Sequence, residues 1–535
     1  MTTDRLRWLL VGVAAVVLVL HAFLYNFITD DAYISFVYSR NFAEHGSLVF
    51  NLGDYVEGYT NFLWTLLIGL GMLVNVEPEW SAKILGAVFA VLTLWVTFVL
   101  VERALGRKSM WGAVPAVLLA CSSGFACWTS GGLETQLFTM LCTIAIEGVV
   151  AAEAEDGASA LYRTGVALAL AAMTRPEGVL VAFALLLVRL VCNVTAKRGI
   201  AGKTELISAI CFLVLWVPWF VWRWQYYGYP FPNTYYVKAT GEWANPDMAN
   251  QMHEAGMYYI WSWLKQTKLL FALPLVFLGL VGARPKTPRF ALGLSCALVS
   301  AFYIPYTISV GGDFMGLHRF IMPLFVIAAV STVMGLELVC ALIPEAARKY
   351  VGLGLGVGIV GAFAFTQAQL TQKSLKWGNF EADHGIDTPA FLIVYTEDRA
   401  AIGRAMQSCF KPDDFSIVGG AGAQPYYGHM QAIDVFGLVS DRVAHTEKRI
   451  RPRAGHTKFA SDALLADYDP TFIFSCYAIH STPARPASLN CNTGFWIARG
   501  YEMVTMHIPG MKQSGEYYTF LAKKDRKFEC PGRVP

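Results

Sequence analysis

Apolar residues fall in long runs up to about Leu370 and in short ones beyond it. Runs beginning near Trp8, Ile84, Trp111, Leu133, Ala158, Val179, Leu206, Lys268, Phe290, Phe320 and Tyr350 are read as membrane-crossing helices, each of which needs ~20 mostly apolar residues. They predict eleven spans. Phe62–Val74 is equally apolar but only 13 residues long, a length that predicts an interfacial or re-entrant segment. Ahead of it, Ala32–Glu44 spaces Ile34, Val37, Tyr38 and Phe42 along one helical face, with Ser35, Ser39, Arg40 and Glu44 as its polar positions. That pattern predicts a short amphipathic helix in the plane of the membrane. The expected division is a membrane region over 1–372 and an α/β domain over 373–535.

Charge orients these elements. With Phe62–Val74 kept on the surface, one side of the membrane region receives fifteen Lys and Arg and the other eight, and the fifteen lie in shorter connections. If that segment crossed, "ERALGRKS" (Glu102–Ser109) would move outside, against the positive-inside rule. The expectation is therefore an internal N-terminus and an external C-terminal domain. Arg5 and Arg7 precede the first run as in a signal peptide, but no small-residue cleavage site follows, so it reads as a retained span.

Composition agrees with a polytopic membrane protein. Of 535 residues, 55% are hydrophobic and 15% charged, against roughly a quarter charged in ordinary soluble domains. Mean hydropathy is +0.44. The net charge of +3 comes without a basic patch interleaved with aromatics, so nucleic acid is not an expected partner. No internal repeat or low-complexity segment stands out.

The predicted topology collects the polar motifs on the external side. They are Asp30 and Asp31 after the first span; Glu57, Tyr59 and Asn61 in "EGYTN"; Glu134 in "GGLET"; Arg175 and Glu177 in "TRPEG"; Asn233, Tyr235 and Lys238 in "PNTYYVK"; and Asp313, His318 and Arg319 in "GGDFMGLHRF". Ionisable residues near apolar runs are costly to keep and mark function by default. Each also has a plain structural use. One Asp caps a helix N-terminus, an Arg or Lys snorkels at a helix end, and Tyr or Trp forms an interfacial belt. Capping does not explain a second adjacent Asp.

The order of these motifs resembles the GT-C superfamily of membrane glycosyltransferases. It is most similar to a bacterial branch related to the mycobacterial terminal arabinofuranosyltransferases. The architecture is also similar to the aminoarabinose transferases of lipid A and the protein mannosyltransferases. The resemblance implies an inverting transfer of a sugar, arabinofuranose or another pentose or hexose, from a polyprenyl-phosphate donor. The acceptor would be a cell-envelope glycan, lipid or protein at the outer face of a bacterial plasma membrane. It implies Asp30 as the base with Asp31 orienting it, the two roles being interchangeable at this level. Lys238, His318, Arg319 and Arg175 are the candidates for donor phosphate. Glu57, Tyr59, Asn61, Glu134, Glu177, Asn233, Tyr235 and Asp313 are candidates for sugar or acceptor. No cofactor is required by this scheme; Glu134 and Asp313 with the Asp pair leave a divalent cation open, though without fixed ligand spacing. A transporter or flippase of lipid-linked glycans is the rival from another class, and a non-catalytic assembly protein a third.

In the tail, "DRAAIGRAMQSCF" has helical composition, while "FSIV", "AIDVFG", "TFIFSCYA", "YEMVTMHI" and "YYTFLAKK" read as strands. "GGAGA" after a strand lacks the full dinucleotide fingerprint and is set aside as a nucleotide site. Tyr426, Asp434, His456 and Lys458 are candidates to touch the acceptor or to hold the tail to the membrane region. Of eleven cysteines, Cys409, Cys476, Cys491 and Cys530 lie in the external part, an even number suited to disulfides in an oxidising compartment. Three pairings are possible; Cys476–Cys491 with Cys409–Cys530 is preferred. The sequon at Asn193 falls on the internal side.

Overall fold

The computed structural model describes residues 3–154, 157–376 and 385–535. The stretch 377–384, where the expected second domain begins, lies outside them.

Among the described residues, sixteen α-helices make up the first part. They are α1 (Thr3–Tyr25), α2 (Asp30–His45), α3 (Phe62–Leu73), α4 (Pro78–Leu105), α5 (Ala113–Cys121), α6 (Ser123–Ser130), α7 (Thr135–Ala154) and α8 (Gly157–Thr174). Then come α9 (Gly178–Thr195), α10 (Lys203–Tyr227), α11 (Asn233–Ala239), α12 (Asp247–Gln266), α13 (Leu269–Val281), α14 (Pro288–Ser309), α15 (Met322–Ala341) and α16 (Glu345–Ser374). Among the described residues, eight helices are long and apolar enough to cross a membrane, or ten if each of two bent pairs is one span.

Ten of the eleven expected runs have counterparts among these when each bent pair counts once, and three runs differ from a single straight apolar helix. α8 is 18 residues long but, with Arg163 and Thr164 in its first half, is not apolar enough to be counted among them. The run beginning at Trp111 breaks between α5 and α6, which meet at 65°. The run at Lys268 yields only α13, 13 residues long, set at 94° to α12. Thirteen residues rise only about 20 Å, less than the ~30 Å hydrocarbon layer.

α7 and α15 run through the middle of the bundle, whereas α10 and α16 expose most of their apolar surface. At the end of the bundle away from Asp31, Arg103 pairs with Glu147 at 2.9 Å and Arg189 with Glu205 at 2.7 Å. Arg107 and Arg289 share Glu337, each at 2.8 Å.

The last part opens with α17 (Pro389–Met406) and holds the short α18 (Ala423–Gly428). Its six strands are β1 (Phe415–Val418), β2 (Gln431–Asp434), β3 (Phe472–His480), β4 (Tyr501–His507), β5 (Tyr517–Lys523) and β6 (Arg533–Val534). They form one mixed sheet in the order β2-β1-β3-β5-β4-β6. β1 is parallel to β2 and β3, and the remaining pairs are antiparallel. The helix and five longer strands are those the tail's composition predicts. Disulfides join Cys409 to Cys530 and Cys476 to Cys491.

The expected amphipathic helix forms as α2, but its setting differs. Ser35 and Ser39, expected on a polar face, are buried with the apolar side. Ser39 Oγ donates to the carbonyls of Ser35 (2.9 Å) and Thr65 (2.8 Å). Arg40 Nη1 donates to the carbonyl of Tyr426, 2.7 Å away in α18. α2 is therefore packed between α3 and the tail.

Candidate active site

α2 starts at Asp30, and Thr29, extended at φ −80° and ψ 154°, takes the N-cap position. Neither Asp is the cap. Both sit in the first turn, where the helix dipole favours negative charge. Their side chains part company there.

Asp31 lines a small polar cavity of about 90 Å3 with Arg175, Lys238 and Arg319, together with Glu134 and Asn61. Its carboxylate accepts no hydrogen bond from the described residues. Burial raises its pKa above the ordinary carboxylate value, against the opposing pull of Arg319 and Lys238.

Asp30 does not reach this cavity. Its Oδ1 accepts the Ala423 N–H at 2.8 Å, at the start of α18. The tail's Gly419–Ala423 turn wraps it so closely that a Cβ on Gly422 would lie 2.0 Å from the Asp30 carbonyl oxygen. Burial raises the Asp30 pKa to about 6, with the Ala423 N–H opposing. The "GGAGA" turn is thus a cradle for a side chain of α2.

The cations are held in order. Arg175 Nη1 donates to Glu134 Oε1 (3.1 Å) and its Nε to Glu177 Oε2 (3.2 Å), while Asn61 Nδ2 donates to Glu134 Oε2 (2.9 Å). Ser35 of α2 donates to Asn61 Oδ1 at 3.1 Å, which ties this network to the Asp-bearing helix. Arg319 Nε donates to Asp313 Oδ2 at 2.6 Å. Gly311 and Gly312, at φ 78° and 74°, make the turn that aims Asp313. Arg319 holds the Asp313 pKa below the ordinary value although burial pushes it up. Lys238, in α11, is lowered by burial, with Asp313 and Asp31 opposing. No described side chain accepts a hydrogen bond from its ammonium group.

Of the other candidates, Tyr59, Asn61, Glu134 and His456 line this cavity. His456 is wedged between the rings of Phe314 and Phe436, each 4.5 Å away, and burial pushes its pKa down to about 3. It is neutral at physiological pH.

The remaining candidates are placed elsewhere. His318 turns to α12, where its Nε2 lies 2.8 Å from Ser262 Oγ. Both carboxylate oxygens of Glu57 accept hydrogen bonds from Arg223. Glu177 faces Arg175 and Tyr306. Asn233 lies outside the cavity lining, its backbone N–H donating to the Glu57 carbonyl at 3.0 Å. Tyr235 is largely exposed against Phe231. Tyr426 packs on Tyr33 under Arg40. Asp434 accepts the N–H groups of Phe436 (3.1 Å) and Val439 (2.7 Å), closing a turn. Lys458 Nζ donates to the Ala444 carbonyl at 2.6 Å.

Sequence reasoning missed the roof. Leu438 and Gly455 of the tail line the same cavity as Asp31. Asp387 pairs with Arg453 at 2.8 Å and exchanges backbone hydrogen bonds with Phe314 and Gly316. Burial raises its pKa to about 6, with Arg453 opposing. "RPRAGHTK" marked His456, but nothing in "GIDTPA" distinguishes Asp387 from any polar loop residue. Among the described residues no three His, Cys, Asp or Glu side chains form a metal-binding group.

Residues 61–222 match the family model for dolichyl-phosphate-mannose-protein mannosyltransferase, and residues 392–523 match a domain of unknown function. No curated protein matches the sequence. The structure of ArnT from Cupriavidus metallidurans bound to undecaprenyl phosphate aligns over 98% of this chain and 99% of that one, with 13% identity and a TM-score of 0.56. Its apo form aligns over the same shares with a TM-score of 0.58. The apo oligosaccharyltransferase of Archaeoglobus fulgidus aligns over 80% of this chain and 64% of that one, with 10% identity and a TM-score of 0.49. The architecture is the GT-C fold: a multi-pass helical membrane region with a C-terminal α/β part.

Proposed function

We propose that this protein, a membrane glycosyltransferase of GT-C type, moves a sugar from a polyprenyl-phosphate carrier to an acceptor hydroxyl with inversion. The observation that carries the reading is Asp31. Among the described residues nothing donates a hydrogen bond to this carboxylate, which shares one cavity with Lys238 and Arg319. Partial burial makes it a better base than a solvated Asp. In the reaction Asp31 takes the acceptor proton, the acceptor oxygen bonds to the sugar C1, and the C1–O bond to phosphate breaks. Lys238 and Arg319 meet the charge left on the phosphate, Arg319 in an orientation fixed by Asp313. Glu134 and Asn61 are placed for sugar hydroxyls. The base assigned by resemblance to Asp30 moves to Asp31 on this reading.

The donor sugar is a pentose such as arabinofuranose or a hexose, and the acceptor a cell-envelope glycan, lipid or protein. Residues 1–372 form the catalytic membrane domain and 373–535 its cap. Undecaprenyl phosphate in the ArnT structure supports the carrier class. The basic residues gathered at the end of the bundle away from Asp31, among them Arg103, Arg107, Arg189 and Arg289, support an extracytoplasmic site in the plasma membrane. The test supplies purified protein in lipid with a polyprenyl-phosphate sugar or the matching nucleotide sugar, and an envelope extract. Transfer from the lipid-linked sugar is expected. Transfer from the nucleotide sugar with no lipid intermediate refutes the proposal.

A further inference from the structure

Lys238 stands on a helix too short to persist alone. α11 has 7 residues, and isolated helices below about 12–15 residues are marginal in water. The Asn233 N–H ties its start to the Glu57 carbonyl of the membrane region. Its end is held from the tail. The last carbonyls of a helix have no partner within it, and three of them are answered here in turn. Thr240 Oγ1 donates to the Tyr236 carbonyl at 3.0 Å, Thr457 Oγ1 to that of Val237, and Arg449 Nη2 to that of Lys238 at 2.8 Å. Two of these donors belong to the tail.

Arg449 is fixed from several sides. Its N–H donates to the Glu242 carbonyl and its carbonyl accepts the Ala244 N–H, both at 2.9 Å, which pairs it with Trp243 as a one-residue parallel bridge. Its guanidinium lies 3.9 Å from the centre of the Trp243 ring, and its Nε reaches Thr457 Oγ1 at 3.4 Å. The side chain is buried. Burial lowers its pKa to about 10, with no carboxylate opposing, and it stays charged at neutral pH. The negative end of the α11 dipole is where such a cation is favoured. The same stretch of tail covers the Lys238 stem. The N–H groups of Ile450 and Arg451 meet the Thr457 carbonyl at 2.8 and 3.1 Å, and a Cβ on Gly455, in the turn between them, would lie 3.7 Å from Lys238 Cε.

We infer that Arg449 is a positioning residue for donor binding: by closing the end of α11 it holds Lys238 where the carrier's phosphate is met. This rests on the phosphate contact proposed for Lys238. Arg449 is not among the residues lining the Asp31 cavity, so it acts through the helix and not on the ligand. Its effect is one of population. If α11 is ordered in only a fraction of molecules, a ligand that requires it ordered binds more weakly by that fraction. Bound phosphate, by the same linkage, reorders the helix.

The test uses the full chain in phosphatidylcholine nanodiscs with undecaprenyl phosphate as probe, its Kd read by displacement of a fluorescent analogue, without turnover. Arg449→Ala should weaken binding about tenfold, the loss for a helix ordered in about a tenth of molecules. Lys238→Ala should weaken it about as much. The double variant should bind within about twofold of Lys238→Ala alone, because a helix without its lysine has nothing to position. Arg449→Lys keeps a cation and an N–H at the helix end and should recover most of the loss. In transfer assays Arg449→Ala should raise KM for the lipid-linked donor in step with Kd and keep kcat within about threefold. Should Arg449→Ala fail to fold, Thr457→Val, which removes the donor to the Val237 carbonyl, carries the same comparison on the parent and Lys238→Ala backgrounds. Undiminished binding in Arg449→Ala, losses that multiply to about a hundredfold in the double variant, or a fall in kcat without a rise in KM overturns the inference. Parent-like binding by Lys238→Ala sinks the phosphate contact of Lys238 and the proposed reaction with it; loss in Lys238→Ala alone sinks only the role of Arg449.

Discussion

Replacing each Asp of the pair by Asn separates two roles that adjacency disguises. Asp31→Asn removes the proposed base and should cost transfer about 10²–10⁴-fold, the range for a positioned general base. Asp30→Asn should behave differently. In the fold its pKa is raised from 3.8 to about 6 by burial. A raised acid binds protons more tightly folded than unfolded. Its contribution is therefore fully present below the unfolded pKa near 4 and lost as pH rises through 6. At pH 7 the ionised form is a burden of roughly 3 kcal/mol, at 1.36 kcal/mol per pKa unit. Asparagine keeps an oxygen for the Ala423 N–H, 2.8 Å away, and carries no charge to bury. Asp30→Asn should then melt no lower than the parent at pH 7, lose much of the parent's gain in stability between pH 7 and pH 5, and keep transfer within about tenfold. The assays are thermal unfolding in detergent at the two pH values and initial rates with a saturating lipid-linked donor. Equal loss of transfer in both variants, with both folded, refutes the assignment. Loss in Asp30→Asn alone would return the base to that residue.

The parent's transfer rate should fall as pH falls through a value above the ordinary ~3.9 of Asp, because burial raises Asp31 and only the ionised form accepts a proton; an acid limb of kcat/KM at or below that value contradicts it. Arg223→Ala strands the buried Glu57 carboxylate and should cost about 3–5 kcal/mol of stability. Replacing Glu57 as well, by Gln, should recover part of that loss in a chemical-denaturation series, and no recovery would mean the pair is not coupled. Mass spectrometry of unreduced digests should find peptides joined through Cys409–Cys530 and Cys476–Cys491, whereas four alkylatable thiols would refute the pairing.

The parts legible in the sequence were those set by local pattern. Runs of about twenty apolar residues became spans, and the aromatic and β-branched stretches "FSIV" and "YYTFLAKK" became β1 and β5, because helix and strand preferences are carried by neighbours in the chain. The breaks were less legible. Nothing at Lys268 announces a 94° corner, since the same apolar composition suits one long helix or two short ones. In the site, residue type pointed to charge but not to direction. Arg319 and His318 are adjacent, and both looked like phosphate ligands. Their backbone is irregular there, with φ 63° at His318, and one side chain goes to Asp313 while the other goes to Ser262. Glu57 looked exposed to ligand only because its partner Arg223 is 166 residues away in sequence. Long-range pairing of this kind leaves no trace in a single chain's spacing.

The double Asp follows from helix geometry. An α-helix turns by about 100° per residue, so neighbouring side chains in one turn point to different surfaces. Two carboxylates intended for one ligand would be better spaced three or four apart. Side by side at the start of α2, they serve two neighbours. Asp31 meets the cavity formed with α11 and the Asp313–Arg319 loop, and Asp30 meets the glycine turn of the tail. The tail in turn supplies Leu438, Gly455 and His456 to the cavity Asp31 faces. Docking the tail onto Asp30 and roofing Asp31 are thus one event, fixed by one helical turn. On this account Gly422→Val, whose Cβ has no room beside the Asp30 backbone, should loosen the roof and lower transfer while Asp31 itself is untouched. Protease sensitivity of the tail should rise in parallel with the loss of rate. A variant slow in transfer yet as resistant to proteolysis as the parent would break the link between the two carboxylates.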